Sequence, residues 1–157
     1  MLFRSVTLLK EKELKIACAE SCTGGLMAKK ITDVSGSSEV FELGVVAYAN
    51  RIKTKVLAVP AKLLEDKGAV CAEVAGFMAK GVCMLAGSDI GTGITGIAGP
   101  TGGTPEKPVG LVYVAVYMRN IDKFFVGELH LDGEREQIRN TTAEKVIAKV
   151  IELIEKN

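Results

Sequence analysis

Histidine is almost missing from this chain: a single residue, His130, stands among 157. A serine or cysteine nucleophile driven by an imidazole would therefore depend on that one side chain. It falls inside an alternating strand pattern, where a structural role is the expectation. Cysteine is scarce too. The four present, Cys18, Cys22, Cys71 and Cys83, lack the close paired spacing of a zinc site. They read as reduced, small apolar side chains, and no metal is expected.

Charge of either sign is not in excess: 20 basic against 19 acidic residues give a formal net charge of +1. That balance supplies no general field for nucleic acid or an anionic membrane, and no basic stripe interleaved with aromatics is present. Partners of those two kinds are not expected, so anion recognition must be local. No apolar run approaches a membrane span, and no charged start followed by an apolar core and cleavage site is seen. The cytoplasm is the expected address.

What the chain does have is 48% hydrophobic residues, enough to fill one core without metal or disulfide. A single domain over 1–157 is expected, since no repeat, low-complexity tract or linker divides it. Leu2, Phe3, Val6, Leu9 and Leu14 fall near helical spacing and predict an opening amphipathic helix. Strand-like runs follow at Leu14 to Ala19, Leu43 to Tyr48, Val109 to Met118 and Phe124 to Leu131, the last two joined as a hairpin. Helices are predicted between Gly25 and Val34, around Arg51 to Leu57, from Ala61, from Val74 to Leu85 and after Asp132. This order predicts an α/β fold with a mixed sheet, the early strand-helix units parallel and the late hairpin antiparallel.

Two corners are candidate ligand sites. Gly91 to Gly103 is rich in glycine and threonine and carries no charge, so it reads as a loop leaving one strand and rejoining another. Its free amides, with the Thr95 and Thr101 hydroxyls, would cradle an anion. Glu20-Ser-Cys-Thr-Gly-Gly25 reads as a second corner into a helix start, where an anion is favoured but Ser21 and Thr23 would equally serve as caps. With histidine out of play, acyl transfer can run on a serine whose proton goes to a neutral lysine. Ser21, Ser37 and Ser38 sit in glycine-rich corners, and Lys53 follows a strand end, with Arg51 and Lys55 placed to depress its pKa. Solvated lysines and turn-forming serines are the plainer alternative.

Taken together, Ala19-Glu-Ser-Cys-Thr-Gly-Gly25, Gly36-Ser-Ser38 with Phe41, Gly44 to Asn50 with Lys53, Gly96-Ile-Ala-Gly-Pro100 with Gly102-Gly103, and Lys107-Pro-Val-Gly110 resemble the CinA C-terminal domain family. The five motifs keep their order over nearly the whole chain. The resemblance implies a three-layer α/β/α sandwich with a mixed, mostly parallel sheet, a homodimer, and deamidation of nicotinamide mononucleotide to nicotinic acid mononucleotide and ammonia without a cofactor. It further implies Ser38 as nucleophile and Lys53 as general base. Tyr48 would line the pyridine pocket, and Ser21, Thr23, Gly24, Asn50, Thr95, Gly96 and Arg135 would contact substrate. Two positions depart from the family pattern: Cys71, where serine is usual, and Glu134 in Gly133-Glu-Arg135, where aspartate is commoner. Longer members carry an amino-terminal domain linked with a pyrophosphatase activity, which is not expected here.

Ser38 and Lys53 flank one strand, and six extended residues span about 20 Å. A proton transfer needs about 3 Å. Either the turns fold back, or the pair forms across subunits, or Ser21 is the nucleophile. Two other functions stay open: a non-catalytic nucleotide-binding or competence and DNA-damage partner module, and a Schiff-base lysine that borohydride would trap.

Overall fold

The computed structural model describes all 157 residues. Five strands, β1 (Ile16–Glu20), β2 (Phe41–Val46), β3 (Ile90–Gly96), β4 (Leu111–Met118) and β5 (Lys123–His130), form one sheet in the order β2-β1-β3-β4-β5. The six helices are α1 (Leu2–Glu11), α2 (Leu26–Thr32), α3 (Asn50–Leu57), α4 (Ala61–Lys67), α5 (Ala72–Ala86) and α6 (Arg135–Lys156). None is long and apolar enough to cross a membrane.

The helices divide between the two sheet faces, giving the three-layer α/β/α arrangement. Alternation along β1 shows how. Ile16 and Cys18 point into a core with Met27 and Ile31 of α2, Val6 and Leu9 of α1, and Ile138, Val146 and Val150 of α6. Ala17 and Ala19 point the other way, against Leu57 of α3, Leu64 of α4, and Val74, Met78 and Val82 of α5. The sheet is mixed, as expected, but evenly so. β1 pairs in parallel with β2 and β3, whereas β3–β4 and β4–β5 are antiparallel.

One boundary differs from the sequence reading. Gly91 to Gly96 is not loop but the central, buried strand β3, and the loop starts only at Ile97. The glycines are there for a neighbour, as a Cβ built on Gly91 would lie 2.0 Å from the Ala79 carbonyl oxygen, and one on Gly93 2.2 Å from that of Ala75. Helix α5 thus presses its Ala75, Ala79 and Cys83 face onto bare backbone.

Because β1, β2 and β3 are parallel, their carboxyl ends emerge on one edge. From β1 the chain passes through α2 to β2 on one side, then through α3 to α5 to β3 on the other. The gap between β1 and β3 at that edge is therefore the switch point where α/β sheets accommodate ligands.

Candidate active site

The same alternation that sorts the core places the site. Continuing β1 by one residue, Ser21 falls on the Ala17 and Ala19 face, towards α3. On β3, Thr95 shares the face of Gly91 and Gly93. On α3, Lys53 and Leu57 are one turn apart and are that helix's buried residues, so Lys53 is carried inward on the apolar stripe. Ser21, Lys53 and Thr95 thereby converge on a cleft of about 340 Å³ between the ends of β1 and β3.

Lys53 is only 1% exposed. Its Nζ lies 3.1 Å from Ser21 Oγ and 3.2 Å from the Tyr48 carbonyl oxygen, and it forms no ion pair. Burial disfavours the ammonium and pulls its pKa below the usual 10.5. Arg51 and Lys55, expected to do this, are exposed on the opposite side of α3 and are not the cause. Beside the pair, Cys22 is buried and its thiol is pushed up to about 11, chiefly by that burial. It is therefore a poor thiolate at neutral pH.

Tyr48 stands at the cleft mouth, 61% exposed, where its hydroxyl accepts a hydrogen bond from Arg135 Nη2 at 3.3 Å. Arg135 Nη1 donates to the Gly99 carbonyl at 2.8 Å, which ties the start of α6 to the loop after β3. Thr95 Oγ1 donates to the Ala69 carbonyl at 2.8 Å and fixes the segment between α4 and α5 as a wall. Asn50 and Gly96 complete the seven expected residues that line this cleft.

Two residues lining the same space carry backbone donors of interest, Cys22 and Gly96. The N–H of Cys22 has no backbone acceptor. The Ile94 carbonyl accepts from Ser21 N–H at 3.0 Å, so even-numbered β3 residues direct their backbone towards β1. Gly96, two residues on, therefore aims its N–H past the end of β1 into the cleft.

Three expected residues are placed elsewhere. Ser38 sits exposed on a 3-10 turn, Ser37–Glu39, before β2, while Lys53 follows that strand. The whole of β2 separates them, so within the chain Lys53 meets Ser21 and not Ser38. Thr23 and Gly24 lie behind the cleft, where the Thr23 carbonyl accepts from Arg139 Nη2 at 2.8 Å. Neither Ser21 nor Thr23 caps α2. That task belongs to Glu20, read earlier as a turn residue. It ends β1 on the Ile16 and Cys18 face, 1% exposed, and accepts the backbone N–H groups of Gly25, Met27 and Ala28 at 3.2, 3.1 and 2.9 Å. The anion favoured at that helix start is the protein's own carboxylate. A lone acid between an apolar strand and a Gly-Gly helix start was the signal for it.

Elsewhere, His130 is exposed on β5 against Glu128. No three His, Cys, Asp or Glu side chains gather into a metal-binding group.

The sequence profile of the CinA C-terminal domain matches residues 3–154. The chain belongs to the CinA C-terminal domain family. It is 55% identical over 137 residues to a putative competence-damage inducible protein of Thermoanaerobacter pseudethanolicus, covering 87% of this chain and 33% of that one. It is 53% identical over 136 residues to a CinA-like protein of Geobacter sulfurreducens, covering 87% and 32%. The chain thus spans about a third of the length of these relatives. Among solved structures, competence/damage inducible protein CihA from Agrobacterium tumefaciens superposes with a TM-score of 0.94 at 38% identity, covering 97% of this chain and 92% of that one. A CinA superfamily protein from Klebsiella pneumoniae gives 0.95 at 28% identity, covering 99% and 96%.

Proposed function

We propose that this protein is an amidohydrolase that converts nicotinamide mononucleotide to nicotinic acid mononucleotide and ammonia, with Ser21 as nucleophile and Lys53 as general base. The observation carrying this reading is the buried, ion-pair-free Lys53 in contact with a serine hydroxyl at the floor of an open cleft. Desolvation favours the neutral amine, which is the form able to accept the hydroxyl proton.

As Ser21 Oγ bonds to the carboxamide carbon, its proton passes to Lys53 Nζ and the carbonyl becomes an oxyanion. The N–H groups of Cys22 and Gly96, which have no backbone acceptor, would be the donors for that charge. The tetrahedral adduct collapses as Lys53 returns the proton to the leaving nitrogen, releasing ammonia and leaving an ester on Ser21. Water, deprotonated by the same amine, then hydrolyses the ester to the carboxylate. Tyr48, held by Arg135 over the mouth, would lie against the pyridine ring.

The test is formation of ammonia and nicotinic acid mononucleotide from nicotinamide mononucleotide, with chelator present, for the native protein, Ser21→Ala and Lys53→Ala. Turnover lost in both variants supports the assignment. Native protein that binds the nucleotide without releasing ammonia would leave a binding module in its place.

A further inference from the structure

A second, larger hollow of about 680 Å³ adjoins the cleft, and Ala98 and Arg135 line both. The two are therefore neighbouring chambers with the Arg135 guanidinium at their partition. The second one contains Arg139, one turn further along α6 and so on the same side of that helix as Arg135.

Neither arginine is neutralised. Arg135 donates to the Gly99 carbonyl and the Tyr48 hydroxyl, Arg139 to the Thr23 carbonyl, and neither forms an ion pair. Arg139 Nε is buried with no acceptor, as is the hydroxyl of Thr23, the residue whose carbonyl Arg139 holds. Buried donors are rarely left unmatched unless something absent completes them. The same wall holds the start of α6, a helix of 22 residues, where the N–H groups of Arg135 and Glu136 have no backbone acceptor. Two carboxylates also line the chamber. That of Glu134 is engaged, accepting the N–H three residues on in a capping box, while Glu136 is exposed.

We propose that this chamber binds the phosphomonoester of the substrate, with Arg139 as its inner anchor and Arg135 shared between phosphate and ring chambers. The assignment rests on the amidohydrolase reading for its substrate. The chemistry of the chamber stands by itself: two unpaired guanidiniums on successive turns, reinforced by a helix N-terminus, fit a group with several terminal oxygens and two negative charges. It also gives the two-chambered shape a purpose, placing the amide at Ser21 and the phosphate beyond Arg135.

Two measurements separate this inference from the reading beneath it. Calorimetric titration with ribose 5-phosphate follows the chamber without any turnover. Arg139→Ala should weaken that binding at least about tenfold. Because Arg139 also holds the Thr23 carbonyl, Asn140→Asp is the second variant; it adds a carboxylate to the chamber wall without touching that bond and should weaken binding as well. In kinetics, the preference of kcat/KM for nicotinamide mononucleotide over nicotinamide riboside should collapse towards one in both variants. No ribose 5-phosphate binding by native protein, or an undiminished phosphate preference in both variants, overturns the proposal. Arg139-dependent binding in a protein that releases no ammonia would keep the chamber and remove the amidohydrolase.

Discussion

Lys53 Nζ and Ser21 Oγ are 3.1 Å apart although 32 residues of chain separate them. Two periodicities produce the meeting: the twofold alternation of β1, continued to Ser21, and the 3.6-residue turn of α3, which buries Lys53 with Leu57. Ser38, on the turn ahead of β2, takes part in neither.

This makes the two serines separable. Ser21→Ala should lower kcat for the deamidation by at least about a thousandfold, because a lost nucleophile is not replaced by its base. Ser38→Ala should stay within a few-fold of native. The reverse order would place the reaction between subunits.

The pH profile follows from the buried lysine. In the proposed mechanism the active form is the amine, so kcat/KM should rise with pH through one apparent pKa lying below the usual 10.5. Lys53→Arg holds its charge throughout and should abolish both the turnover and the rise. Turnover in Lys53→Arg equal to that of the native enzyme would remove Lys53 as base.

Stability and activity should part company at the same residue. In the unfolded chain Lys53 titrates near 10.5, and in the fold it titrates lower, so the folded state binds fewer protons between those values and stability rises with pH there. Below the folded value the residue is charged in both states, and the cost of burying the ammonium is fully present. Lys53→Met should therefore stabilise the inactive protein by about 1–2 kcal/mol at neutral or acidic pH. The gain should shrink as pH approaches 10.5, which denaturant titrations at two pH values would show.

Glu20 is the residue through which the Ser21 corner is held. In Glu20→Gln one acceptor oxygen becomes a donor facing the α2 amides, so about 1–3 kcal/mol should be lost and the melting temperature should fall. As Glu20 does not reach the cleft, a positioning role predicts a fall in kcat larger than any change in KM. Equal melting curves for variant and native protein would contradict the capping geometry.

The sequence disclosed regular periodicities well and close approaches poorly. The apolar stripes of α1 and α6 and the alternation of β5 were legible because each residue's environment follows from its own period. Strand β3 was not, since Gly91 and Gly93 are explained by Ala75 and Ala79, about a dozen or more residues earlier in the chain and one layer away. The site divided similarly. Lys53, Ser21, Tyr48, Thr95 and Arg135 were named from residue type and motif, while the length of the strand between Ser38 and Lys53 left the choice of nucleophile open between Ser38 and Ser21. The depressed pKa of Lys53 was anticipated with the wrong cause, because burial on α3 depends on helix phase rather than on neighbouring charges in sequence. Arg139, unremarkable as a charge near a helix start, gains meaning only beside Thr23 and the second chamber.

The bond from Ser21 N–H to the Ile94 carbonyl closes the β1–β3 ladder, whose strands lie about seventy residues apart in the chain. A local hairpin such as β4–β5 can zip early, but this parallel seam must await the whole intervening excursion through α2 to α5. On the proposed mechanism, the nucleophilic serine should thus be assembled by one of the latest events of refolding. After dilution from denaturant, recovery of turnover should lag the return of helical circular dichroism and coincide with the slowest phase, a clock for sheet closure built into the chemistry itself.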